Sequence, residues 1–169
     1  MTPQNKGYVM PSEQNNQRGF TLIEVIVVVA IGAIIAAVAV PNIRTFMERY
    51  QTKGAARDVM SALQQARSEA VRRARPVAVE FVHGTGGAGV VRIFVDDGAN
   101  GLVFEAGETV VSTLNMPPRV QLSDADFDGT QITGFDSRGI SRRDGSVVVS
   151  GPASIFTLRL EPAGRARIE

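Results

Sequence analysis

Cysteine is absent from this 169-residue chain and histidine occurs once, at His83. The first absence excludes a disulfide framework, thiolate metal sites and a cysteine nucleophile. It leaves the compartment open, since a cysteine-free chain suits either redox environment. The second excludes a multi-histidine metal site, and His83, beside Gly84 at a strand end, reads as a surface residue rather than the base of a triad. Charge of one sign is also lacking: the formal net charge is +1, so the molecule as a whole is no basic nucleic-acid binder. Carboxylates are plentiful, but none are paired at a spacing that suggests general acid–base work, and the chain reads as a non-enzyme. Lysine is scarce: two lysines stand against sixteen arginines. Arginine offers a planar fork suited to carboxylates and phosphates.

The chain opens with a hydrophilic stretch from Met1 to Arg18, with Lys6 and Arg18 against Glu13. From Leu22 to Val40 every residue is apolar or small except Glu24. That run is close to the roughly 20 residues needed to cross a hydrocarbon core. A secretory signal would place a shorter apolar stretch ahead of a small-x-small cleavage site, and no such site with turn residues follows. Glu24 stands four residues from the junction at Phe20, where an isolated membrane carboxylate costs several kcal/mol and marks function.

The segment Arg18-Gly19-Phe20-Thr21-Leu22-Ile23-Glu24 resembles the processing site of type IV pilins and type II secretion pseudopilins. The resemblance implies cleavage between Gly19 and Phe20 by prepilin peptidase and N-methylation of Phe20. It also implies a role in assembly for Glu24, whose carboxylate would pair with the amine of a neighbouring subunit. The chemistry is coherent: glycine lets extended backbone enter a narrow cleft, and buried charges persist when paired. Met1 and Met10 both serve as possible starts for the same cut site.

Beyond Val40 the pattern turns amphipathic. Ile43, Phe46, Met47, Tyr50, Met60, Leu63, Ala66, Ala70, Val71 and Ala74 fall at helical spacing, with charged residues such as Arg44, Glu48, Arg57, Arg67 and Arg72 opposite. Pro76 ends the segment, and Pro41 predicts a kink or local melting. Short β-prone runs follow: Val77–Val82, Val90–Val95, Thr109–Leu114, Arg119–Leu122, Gln131–Phe135, Ser146–Ser150, Ser154–Leu160 and Arg165–Ile168. Gly84 to Gly89 reads as a hairpin loop and Asp96 to Gly101 as a turn. The family resemblance adds the expected architecture: an α+β pilin-like fold, with a long N-terminal helix, transmembrane in its first half, packed on an antiparallel sheet. Four segments result: a leader over 1–19, a transmembrane half-helix over 20–40, an amphipathic half-helix over 41–75 and a β-rich domain over 76–169. Patches at Val95-Asp96-Asp97, Glu105 to Thr109, Phe135 to Gly139 and Gly164 to Arg167 resemble the GspH/FimT branch.

Two ligand-binding readings remain. Asp124, Asp126 and Asp128 before Gly129 match the opening of a calcium loop. The closing glutamate would fall at Phe135, with Asp136 one residue out of register, which favours an acidic surface turn. Arg138, Arg142 and Arg143 share one turn-rich segment, and Arg165 and Arg167 would share a strand face. Gly164-Arg165-Ala166-Arg167 resembles a G-R-x-R signature of DNA-binding minor pilins; the competing reading is a charged edge strand paired with acids. The resemblance implies a minor pilin of a type IV pilus, with DNA a candidate partner, or a GspH-type minor pseudopilin of type II secretion. The expected location is the bacterial inner membrane, single-pass, with a periplasmic domain. The expected partners are other pilins or pseudopilins in a helical filament, prepilin peptidase and an inner-membrane assembly platform. No cofactor other than a candidate calcium ion is expected.

Overall fold

A long apolar helix start needs its first backbone donors satisfied, and here a threonine does it. The computed structural model describes residues 19–84, 89–97 and 102–169. The leader up to Arg18, residues 85–88 of the glycine loop and residues 98–101 of the following turn lie outside the described residues. The chain divides into two compact units, Met1–Val40 and Pro41–Glu169.

In the first unit, helix α1 (Leu22–Arg73) begins. The Glu24 N–H donates to the Thr21 carbonyl at 3.1 Å and to Thr21 Oγ1 at 3.3 Å. Thr21-Leu22-Ile23-Glu24 is thus an N-cap followed by an acid at the third helical position, where a carboxylate also meets the positive end of the helix dipole. The helix is apolar enough to cross a membrane, with a mean hydropathy of 2.9 over its best window and none of that window buried.

Helix α1 continues through Pro41 without local melting. In the second unit the buried face of α1 is built from Thr52, Ala55, Ala56, Val59, Ala62, Leu63, Ala66 and Ala70. Small side chains let the helix backbone approach the sheets closely. The stripe expected from the sequence holds only in part. Leu63, Ala66 and Ala70 are core, but Ile43, Phe46, Met47, Tyr50 and Val71 are more than half exposed. Ile43, Phe46, Met47 and Tyr50 precede Thr52, the first buried residue of the helix, and Val71 follows Ala70, the last. At the other end, Arg75 N–H reaches the Ala70 carbonyl and Ala74 N–H the Val71 carbonyl, both at 3.2 Å. Ala74 has φ +51°. That is a Schellman cap with alanine where glycine is usual, and Pro76 bars continuation.

Among the described residues, eight strands follow: β1 Val77–Val82, β2 Val90–Val95, β3 Val110–Asn115, β4 Gln121–Phe127, β5 Ile132–Phe135, β6 Gly145–Gly151, β7 Ser154–Leu160 and β8 Ala166–Ile168. They form two antiparallel four-stranded sheets, ordered β3-β2-β1-β5 and β4-β6-β7-β8, where one sheet was expected. The chain passes between them three times, after β3, β4 and β5, and the β4–β5 crossing is a two-residue turn. Asp128 and Gly129 have φ of +53° and +76°, the signature of a type I′ hairpin. Phe127 and Thr130 close it with reciprocal backbone bonds of 2.8 and 3.2 Å. The sheets share one core with the helix: Phe81 of β1 stacks on Phe127 of β4 at 5.2 Å between centroids. A smaller cluster of Ala78, Phe94 and Leu102 lies outside that core, with Phe104 edge-on to Phe94.

Two strand boundaries moved for identifiable reasons. Arg119 has φ +68° and lies in a turn closed by Val120 N–H on the Pro117 carbonyl, so β4 starts later and runs on through Asp124 and Asp126. Arg165 precedes β8, because its carbonyl accepts from Glu161 N–H at 2.9 Å and closes the turn around Gly164.

Candidate functional site

Gly19 and Phe20 precede the first turn of α1 and are exposed, Phe20 at 84%. Among the described residues no heavy atom stands within 4 Å of where a Gly19 Cβ would lie. Glu24 lies one turn further, exposed, with Leu22, Ile23, Val25 and Ile26 around it.

The calcium reading does not survive as a loop. Asp124 and Asp126 belong to β4, and Asp124 (φ +48°) sits in a bulge where register shifts between Ser123 and Asp126. Asp126 Oδ1 accepts the Gly129 N–H at 2.8 Å. Asp128 is half of the hairpin turn. Phe135, where the closing ligand would fall, is fully buried in the core. Asp136 is engaged too, accepting the N–H groups of Arg138 and Ile140 at 2.9 Å each. The Ile140 N–H in particular holds its carboxyl below the usual range, with the Arg138 bonds adding to this. Among the described residues no group of three or more His, Asp or Glu is arranged to hold a metal ion.

The arginines divide by what their guanidiniums already hold. Arg142 pairs at 2.6 Å with Asp96, whose side chain is 3% exposed, and so pins the segment after β5 to the end of β2. Arg143 donates to Thr130 Oγ1 at 2.9 Å, while its own carbonyl accepts from Thr133 and Ser141. Arg138 pairs with Asp136 at 3.0 Å and stays largely exposed. Arg167 pairs with Glu169 at 2.8 Å and lies 4.0 Å from Glu161. Arg165 is exposed and its side chain has no partner among the described residues.

Register adds a residue that the sequence reading missed. Arg159 of β7 is the cross-strand partner of Arg167, so two like charges face each other, an arrangement that is unfavourable unless acids or an anion intervene. Arg165 lines a groove of about 660 Å³ between the last turns of α1 and the start of β8. Arg67, Arg72 and Val71 come to it from the helix. The Phe135–Gly139 and Gly164–Arg167 patches, distant in sequence, meet here: a Cβ on Gly164 would collide with the Gly139 carbonyl oxygen.

A long N-terminal helix on two antiparallel sheets is the pilin-like architecture. The chain is similar to two solved structures of this kind. One is the type IV minor pilin FimU of Pseudomonas aeruginosa, at 18% identity and TM-score 0.53, over 73% of this chain and 92% of that one. The other is the minor pseudopilin EpsH from the Type 2 Secretion System of Vibrio cholerae, at 13% identity and TM-score 0.52, over 70% and 96%. No curated protein matches the chain by sequence. The family model for the type II transport protein GspH matches residues 55–168, and that for the prokaryotic N-terminal methylation motif matches residues 14–40. The chain belongs to the GspH family of the type IV pilin and pseudopilin superfamily, whose members are structural subunits of filaments.

Proposed function

We propose that this chain is a minor pilin subunit of a type IV pilus. In this reading it is cut between Gly19 and Phe20 by prepilin peptidase and N-methylated on Phe20. A single span then holds it in the bacterial inner membrane, with the β-rich domain periplasmic, until an assembly platform adds it to a filament of other pilins. The observation that carries this is the run from Leu22 to Val40, which no other part of its unit buries among the described residues. Such a surface needs lipid first and other apolar helices afterwards. Glu24 near its start needs a cation, and cleavage after Gly19 would create an ammonium about one turn away. Mass spectrometry of the mature protein tests the processing step, with a methylated Phe20 N-terminus as the expected result.

The same reading includes weak, sequence-independent DNA contact for uptake, supported by the unpartnered Arg165 on the groove. A second reading, a minor pseudopilin of type II secretion, is supported by the type II transport family to which residues 55–168 belong. Deleting the gene separates the two: loss of pili or DNA uptake supports the first, and loss of exoprotein secretion the second.

A further inference from the structure

The groove beside Arg165 has a floor that the terminal motif does not supply. Arg67, on the last turns of α1, is half-buried there, and its side chain has no hydrogen-bond or ion-pair partner among the described residues. Two turns press on it from separate parts of the sequence. Gly139 has φ +78°, and a Cβ there would lie 3.1 Å from Arg67 Nε and 3.1 Å from Val71 Cγ2. Gly164 has φ +75°, and its Cβ would lie 3.4 Å from the same Nε. Any side chain at either position would be strained in backbone; at Gly139 it would crowd the arginine, and at Gly164 it would collide with the Gly139 carbonyl and so disturb the turn that packs on the arginine. Arg72, on the rim, is committed to Glu69 at 2.6 Å. Among the described residues no Asp or Glu lines the groove, so none of them neutralises Arg67 or Arg165 there.

We infer that Arg67 is a second phosphate-binding guanidinium, positioned by Gly139 and Gly164, and that with Arg165 it makes the groove a two-arginine seat for the phosphodiester backbone of duplex DNA. A partly desolvated guanidinium gains most from an ionised acceptor, and its fork matches two phosphate oxygens at once. The inference rests on the DNA reading of Arg165 and extends it to a helix residue outside the terminal motif.

The test is fluorescence anisotropy of a labelled duplex with the full chain in a nonionic detergent, repeated across a salt series. Each phosphate contact contributes about −0.9 to the slope of log affinity against log salt. Arg67→Gln should therefore make the slope shallower by about 0.9, Arg165→Gln by about as much, and the double variant by about 1.8. Arg67→Lys, which keeps the charge and most of the stem, should retain the wild-type slope. An Arg67→Gln slope equal to wild type, with Arg165→Gln still shallower, would overturn the inference and leave the DNA reading standing. A slope lost equally in Arg67→Lys would also overturn it, since the charge would then not be what matters. Absence of wild-type binding at low salt would remove the DNA reading and the groove with it.

Discussion

Along α1, residues from Leu22 to Val40 present Ile, Val and Leu side chains that are roughly half to three-quarters exposed, whereas from Thr52 to Ala70 the helix buries alanines against two sheets. Bulk and apolarity are placed where the unit offers no cover, and small residues where it does. The difference shows two packing problems. The buried half must bring its backbone near a sheet, so each alanine is a distance constraint. The exposed half must suit a liquid environment or a set of neighbouring helices, for which side-chain area matters more than a particular shape. Substitutions of similar size should consequently act very differently in the two halves.

The largest effect is expected in the exposed half and is not a stability effect. Glu24→Val should still insert, since it makes the span more apolar, and should nearly abolish incorporation into filaments. Immunoblots of sheared filaments at native expression check this, and normal incorporation would show the carboxylate to be dispensable. Next comes the core that faces the buried half. Phe127→Ala removes the ring stacked on Phe81 and should cost about 3–5 kcal/mol in denaturant unfolding. Val28→Ala, in the exposed half, should leave that same transition unchanged. Ala66→Leu should cost about 1–3 kcal/mol by forcing the helix off the sheets. If Ala66→Leu and Val28→Ala proved equally harmless, the contrast between the halves would fail.

Much of this contrast was legible in the sequence. The long apolar helix start, the helix stop before Pro76 and the bounds of β1, β2 and β7 follow from local pattern and turn chemistry. What was not legible depended on pairing between distant segments. Helical spacing could not reveal that Ile43, Phe46, Met47 and Tyr50 stay exposed, because periodicity describes a face and not its cover. One of the three crossings between the sheets was hidden in Asp128-Gly129, which is local enough to read as a hairpin turn but also fits a calcium pattern. Arg159 lay in a strand of correct bounds, yet only the register of β7 with β8 sets it opposite Arg167. Arg67 looked like one charge among many on a polar face. Its place in a groove depends on Gly139 and Gly164 meeting across 25 residues of sequence.

Smaller effects sharpen the comparison at the end of the buried half. Ala74→Gly should stabilise the domain by about 1 kcal/mol in urea unfolding, because alanine is strained at a positive φ that glycine adopts freely. The turn that begins at Asp136 should respond to acid. Its carboxyl is held below the ordinary range, chiefly by the Ile140 N–H, so its contribution is present above the unfolded carboxylate pKa near 4 and is lost as pH falls through the lower folded value. Asp136→Ala should remove that part of the acid dependence of unfolding, which a urea series below pH 5 would read.

The central claim is that Leu22 to Val40 is uncovered because it is the anchor and later the packing surface of a processed filament subunit. Intact mass and N-terminal fragmentation of the protein recovered from its native host test this most directly. The account predicts a chain beginning at methylated Phe20, with the preceding nineteen residues gone. A mature chain that retains Gly19, or begins anywhere other than Phe20, would contradict it.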